Sequence, residues 1–174
     1  MGLDKKKHMI LQIAIIVVVV CLIAIIINGV EDYNKVKAMV EVPFKDTMDR
    51  LKLPIVMLTN NNQQFNFLID TGSTNSLIDT IVLDKLNHTK ITGVQGSAYG
   101  INGEVIPVQY TRISLSYDSK EFIDEFQIMR ISAFDNLREN DNITLAGILG
   151  SAFLERYSFV IDFKELIMYS NERD

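Results

Sequence analysis

Phe67-Leu68-Ile69 runs straight into Asp70-Thr71-Gly72-Ser73. An apolar run of this kind reads as a buried strand. A carboxylate at its end is costly to bury unless it is paired or hydrogen-bonded. Gly72 permits a sharp turn or the close approach of another chain. Thr71 and Ser73 bring hydroxyls that can bond a carboxylate or the backbone. Together these residues describe a carboxylate held on a rigid turn at a strand end, which suits acid–base chemistry. The same residues also fit a plain Asx-type turn, so the rest of the chain must discriminate.

Few other residue types are available for chemistry. The chain has 174 residues and a formal net charge of −5, which leaves no basic footprint for nucleic acid. Its two histidines, His8 and His88, and its single cysteine, Cys21, furnish neither a Cys/His metal site nor a Ser-His-Asp triad. Cys21 can form no intrachain disulfide. Chemistry, if present, falls to carboxylates, and no metal or cofactor is expected.

The elements that must position Asp70 are mainly β. Leu53 to Thr59 reads as a strand, Asn60 to Gln64 as a polar turn, and Phe65 to Ile69 as the returning strand. This hairpin delivers Asp70 to one end of a sheet. Asp79 to His88 reads as a short helix capped by Asp79 or Thr80, with Ile81, Leu83 and Leu86 apolar. Ile91 to Tyr117 reads as a long hairpin with its tip at Gly100-Ile101-Asn102-Gly103, since Asn-Gly is a strong hairpin signal. It fits an ordinary surface hairpin or a flap closing over a bound peptide, with Tyr99 beside the tip. Phe122 to Ser132 is another strand, with Phe122, Phe126, Ile128 and Ile131 as core candidates. Asp135 to Asn142 is a polar loop with a helical turn. Leu145 to Leu149 is an apolar strand that meets Gly150, and a short helix follows. Ser158 to Phe163 and Leu166 to Tyr169 form a closing hairpin around Lys164-Glu165.

In this order the segments resemble the retropepsin-like aspartic proteases, of the cellular and bacterial single-domain type. The likeness runs from about Leu53 to Tyr169. It is carried by Leu68-Ile69-Asp70-Thr71-Gly72-Ser73, the Gly-rich hairpin and Gly147-Ile148-Leu149-Gly150 with its following helix. It implies a single acid-protease barrel domain with short helices. It makes Asp70 the catalytic aspartate, has Thr71 bond across to a second subunit, and has Gly72 let loops and substrate come close. Ile148, Leu149 and Gly150 would pack behind the aspartate. Tyr99 and Gly100 to Gly103 would form the flap. Retroviral members usually pair an acidic residue after the Asp-Thr-Gly-Ala segment with an arginine after the later glycine. Thr74 and Ser151 stand in those places here. Ser73 resembles the acid-adapted members, and its hydroxyl is expected to donate to the outer oxygen of Asp70 and lower its pKa.

The mechanism this implies needs two aspartates sharing one proton. The chain has a single Asp-Thr-Gly, and Asp162, in Val160-Ile161-Asp162-Phe163, is expected only to begin the closing hairpin. The second carboxylate is therefore expected from another copy of Asp70 in a C2 homodimer. A non-catalytic peptide-binding or dimerisation module on the same fold is the alternative reading.

Upstream, Met9 to Ile27 is an almost unbroken apolar run. As a helix it would extend roughly 28 Å, close to the ~30 Å core of a bilayer. It is longer than the apolar region of a cleaved signal peptide, and Asn28-Gly29-Val30-Glu31 is a poor cleavage site. Lys5 to Lys7 precede it, and Glu31 and Asp32 follow. The positive-inside rule keeps the N-terminus cytoplasmic and sends the body across. The expected organisation is a cytoplasmic N-terminus over 1–8, one transmembrane helix over 9–28 in contact with lipid, a stalk over 29–50 and the protease domain over 51–174. A bacterial cell membrane is expected ahead of a eukaryotic secretory pathway, with peptides or proteins as substrate.

Overall fold

The computed structural model describes residues 17–26, 40–99 and 105–170. The chain divides into two units, the second opening at Val40. In the first, residues 17–26 are helical, and the rest of the expected anchor lies outside the described residues. Among the described residues, no helix is long and apolar enough to cross a membrane.

The second unit is mainly β with short helices. In chain order its elements are β1 (Glu41–Pro43), α1 (Lys45–Leu51), β2 (Ile55–Asn60), β3 (Gln63–Ile69), β4 (Leu77–Asp79), α2 (Thr80–Leu83), β5 (His88–Tyr99) and β6 (Val105–Tyr117). They continue with β7 (Lys120–Met129), a 3₁₀ turn (Ser132–Phe134), α3 (Asp135–Asn140), β8 (Leu145–Leu149), α4 (Ser151–Arg156), β9 (Phe159–Asp162) and β10 (Ile167–Ser170).

All five residues of Leu145-Ala146-Gly147-Ile148-Leu149 are buried, as a continuous apolar run predicts for a central strand. β8 lies parallel to β3 and antiparallel to β4 in a seven-stranded sheet of order β2-β3-β8-β4-β7-β6-β5. Thr59 on β2 also pairs with Ser116 on β6, so the sheet curls back on itself. Gly147 is dictated by this packing: a Cβ there would strike the carbonyl of Leu77 on β4. Phe67, Phe122, Phe126 and Phe153 are fully buried in the core, Phe67 against Phe126 and Phe122 against Phe153. Each such side chain contributes about 1.5–3 kcal/mol of burial. Of the expected core residues of β7, Phe122 and Phe126 are buried, while Ile128 and the following Ile131 are half-buried.

The β2–β3 hairpin turns at Asn61-Asn62, both with positive φ (47° and 65°), the geometry of a two-residue type I′ turn. α2 is shorter than the expected Asp79–His88 helix. Asp79 does cap it, its Oδ1 accepting from the Ile81 N–H at 3.2 Å. It ends at Leu83, after which the Lys85 and Leu86 N–H groups donate to the carbonyls of Val82 and Leu83 in tight turns, and Asn60 takes the backbone of Asn87. The Asn60 Oδ1 accepts from the Asn87 N–H at 2.7 Å, and its Nδ2 donates to the Asn87 carbonyl at 3.0 Å. The chain is thereby pulled into β5 at His88.

Residues 40–50 of the expected stalk instead belong to the second unit. β1 pairs with β10 through Glu41↔Tyr169, Val42↔Met168 and Pro43↔Ile167, and Val42 and Phe44 are buried. Burial of Val42 and Phe44 draws this segment into the body, where β1, β10 and β9 make a separate three-stranded sheet.

Candidate active site

β3 and β8 run parallel and leave the sheet at the same end, with Ile69 opposite Leu149. Asp70 follows directly, its N–H donating to the Leu149 carbonyl at 3.1 Å. The ladder thus extends one residue into the loop and fixes the Cα from which the carboxylate projects.

The loop then folds around the carboxylate. The Gly72 N–H donates to Asp70 Oδ1 at 2.9 Å, and the Ser73 N–H donates to the Asp70 carbonyl at 3.2 Å. This is an Asx turn inside a backbone turn. A Cβ on Gly72 would lie 3.1 Å from that same carboxylate oxygen. Asp70 is half-buried, whereas Thr71 and Gly72 are exposed. The carboxylate therefore sits at a surface that another molecule can reach.

The loop is fastened from behind by the segment after β8. The Ser151 N–H donates to the Ser73 carbonyl at 2.8 Å, and the Ala152 N–H to the Thr74 carbonyl at 3.0 Å. The Gly150 N–H donates to Ser76 Oγ at 3.2 Å. A Cβ on Gly150 would lie 2.5 Å from the Asn75 carbonyl oxygen and 2.9 Å from that of Ser73, so only glycine lets the loop lie this close. Ile148 and Leu149 are buried behind the site, as expected of packing residues.

Ser73 departs from the expectation placed on it. Its Oγ donates to the Asn75 carbonyl at 2.8 Å instead of to the Asp70 carboxylate. The hydroxyl closes the loop on itself because the turn carries it away from the carboxylate that Gly72 faces. Asp162 behaves as expected of a turn residue. Its Oδ1 accepts from the Lys164 N–H at 2.8 Å and from the Glu165 N–H at 3.0 Å. The N–H groups of Glu165 and Lys164 hold its carboxyl below the usual carboxylate range.

The expected arm forms. β5 and β6 pair from His88↔Ile113 to Tyr99↔Val105, with a break in register between Ile91 and Gly96. The backbone of Tyr99 closes the described part of the hairpin, and Gly100 to Gly103 lie outside the described residues. Sequence reasoning missed Ser76, buried at 2% exposure behind the loop, and Gln127, whose N–H donates to the Ser76 carbonyl at 2.9 Å. Neither carries a motif; both are placed by the pairing of β4 with β7.

Among the described residues, no group of histidine, cysteine and carboxylate side chains is arranged to hold a metal. The site offers one reachable carboxylate on a stiff loop, suited to receiving or giving a proton or to polarising a carbonyl.

Residues 56–153 match the family model for aspartyl proteases. No curated protein matches the chain. Among solved structures, the chain is similar to a retropepsin-like aspartic protease from Rickettsia conorii. Their sequence identity is 18%, the TM-score is 0.46, and the match covers 76% of this chain and 90% of that one.

Proposed function

The chain belongs to the aspartyl protease family and is an aspartic peptidase; from that premise we propose that it works as a membrane-anchored, retropepsin-like endopeptidase active as a homodimer. The observation that carries the reading is the Asp70 loop: one half-buried carboxylate, fixed by Leu149 and Gly72, beside exposed Thr71 and Gly72. Among the described residues, two further aspartates end strands: Asp162 is committed to its own turn, and buried Asp79 caps α2 and pairs with Arg130.

In this reading two copies of Asp70 meet at a twofold axis. Two carboxylates so close cannot both ionise, and they share one proton. The ionised carboxylate takes a proton from a water, whose oxygen bonds to the scissile carbonyl carbon. The protonated one donates a hydrogen bond to the carbonyl oxygen. The tetrahedral intermediate then collapses: the C–N bond breaks, and the departing amine takes a proton from the pair. Thr71 braces the two loops against each other, Gly72 lets substrate backbone approach, and the β5–β6 arm covers the peptide.

The membrane part of the proposal rests on sequence. The apolar run within 9–28 is long enough to span, and Lys5 to Lys7 keep its start in the cytoplasm. The peptidase body then lies outside the cytoplasm, at a bacterial cell membrane. Confinement to a membrane raises the effective concentration of the two halves.

The test is digestion of a peptide library by the full chain in mild detergent across pH, with Asp70→Asn as control. Cleavage by the wild type and none by the variant supports the reading. Equal cleavage by both would remove Asp70 from the chemistry. For topology, external protease should digest the body in cells whose outer barrier, if any, is permeabilised. Full protection under those conditions would reverse the orientation.

A further inference from the structure

The β5–β6 arm is two ladders joined by a break. The proximal ladder ends at Ile91↔Tyr110 and the distal one begins at Gly96↔Val108. Residues 92–95 on β5 thus face only Gln109 on β6. Gly93 sits in this bulge with φ +81° and open space around it, a conformation that favours glycine. A bulge of this size disrupts the ladder and bends the strand. By backbone pairing alone, the distal ladder is weakly tied to the proximal one.

A side chain supplies the missing tie. Gly96, the first residue of the distal ladder, lies directly against the Tyr110 ring: a Cβ there would come within 2.6 Å of Cε2 and closer still to the hydroxyl. The Tyr110 Oη accepts a hydrogen bond from Gln127 Nε2 at 3.2 Å. Gln127 is 3% exposed, so its amide is not free to swing to solvent. Its own N–H donates to the Ser76 carbonyl, and Ser76 Oγ accepts from the Gly150 N–H. An unbroken run of contacts therefore leads from the loop that carries Asp70, through Ser76, Gln127 and Tyr110, to Gly96.

Resting on the protease reading above, we propose that Tyr110 and Gln127 are positioning residues that set the distal half of the arm relative to the Asp70 loop. Gly96 is the seat on which the tyrosine bears. Neither residue touches the reacting atoms. They act by holding Gly96–Tyr99 and Val105–Val108 where a peptide lying over Asp70 meets them. The bulge makes this setting adjustable, and the hydroxyl–amide bond selects one setting.

Tyr110→Phe keeps the ring and removes the tie. In the full chain in detergent, its KM for a cleaved peptide should rise roughly 3- to 10-fold, the loss of about one hydrogen bond, with kcat changed much less. Amide hydrogen exchange should quicken over 96–99 and at Val105, Ile106 and Val108, and stay as in the wild type over 88–91. Gly96→Ala should raise KM as well, by pushing against the ring. Its effect should vanish in a Tyr110→Leu background, where the ring is gone, so that the two substitutions are strongly non-additive. Unchanged exchange across the distal ladder in Tyr110→Phe would overturn the proposal, as would a fall in kcat at constant KM. A wild-type chain that cleaves no peptide would overturn the protease reading instead. The exchange pattern then decides the tie without recourse to activity.

Discussion

Asp70 and Asp162 each stand where an apolar strand runs out, and each turns its Oδ1 back to accept the N–H of the residue two positions on. Their surroundings differ. Asp162 lies in the β9–β10 hairpin and accepts a second N–H, from Glu165. Two backbone donors on one oxygen stabilise the ionised form and leave that carboxylate poorly suited to share a proton. Among the described residues, Asp70 accepts a single backbone N–H at Oδ1, and its loop is held from behind by Leu149, Ser151 and Ala152. A strand-end aspartate is thus a recurrent local device. What suits one of them to chemistry is a loop braced by a second strand while its carboxylate stays reachable.

The sharpest way to break the comparison is to neutralise each aspartate in turn. Asp70→Asn should lower peptide cleavage by at least ~10²–10⁴-fold, the usual reach of a general acid or base. Asp162→Asn should leave kcat/KM within about twofold of the wild type, since its partners lie within its own hairpin. Similar losses from both substitutions would mean that the difference between the two turns has no functional weight.

The bracing of the Asp70 loop is tested next by Gly150→Ala. The added methyl would overlap the carbonyls of Asn75 and Ser73, so the loop must move. We expect a stability loss of about 1–3 kcal/mol, typical of overpacking, with a larger fractional loss of activity than of folded protein. Denaturant unfolding and active-site titration measure the two separately. Activity that survives in proportion to the folded fraction would show that the loop tolerates displacement.

Ser73→Ala sharpens the comparison further. Its hydroxyl serves the Asn75 carbonyl, so its loss should cost about 0.5–1.5 kcal/mol of stability. The acidic limb of the kcat/KM profile should not move, contrary to what the sequence implies. A shift of that limb toward neutral pH would restore a hydrogen bond from Ser73 to the Asp70 carboxylate in the working dimer.

The smallest effect belongs to Asp162, and it depends on pH. The Glu165 and Lys164 N–H groups depress its pKa in the folded state, so the unfolded chain binds the proton more readily. This contribution is present above the ordinary carboxylate range and is lost as pH falls through the folded value. Asp162→Asn should therefore be slightly less stable than the wild type near neutrality and converge on it at strongly acid pH. Denaturation midpoints across that range check the sign. A gap that widens on acidification would contradict it.

Where a feature lay in contiguous residues, the sequence foretold it. The Asp70 turn, the Asp162 turn and the apolar β8 are all written in short segments with distinctive residue types. The features that escaped depend on distant pairing. β1 reads as part of a stalk in the sequence, and only the approach of β10 makes it a strand. α2 stops at Leu83, and Asn60 then takes the backbone of Asn87 just before β5 begins. Gln127 and Tyr110 look like ordinary strand residues until the register of β6 on β7 sets them opposite each other. The Ser73 hydroxyl belongs with these: only the path of the loop carries it to the Asn75 carbonyl.

The central claim is that catalysis takes one Asp70 from each of two chains. Wild-type and Asp70→Asn chains can be mixed at fixed total concentration in detergent, allowed to exchange subunits, and assayed on one peptide. If a working site needs both carboxylates, activity follows the square of the wild-type fraction, so that an equal mixture retains about one quarter of the full rate. Activity that falls in simple proportion, to about one half at equal mixing, would mean that each chain carries its own complete site and would contradict the shared pair.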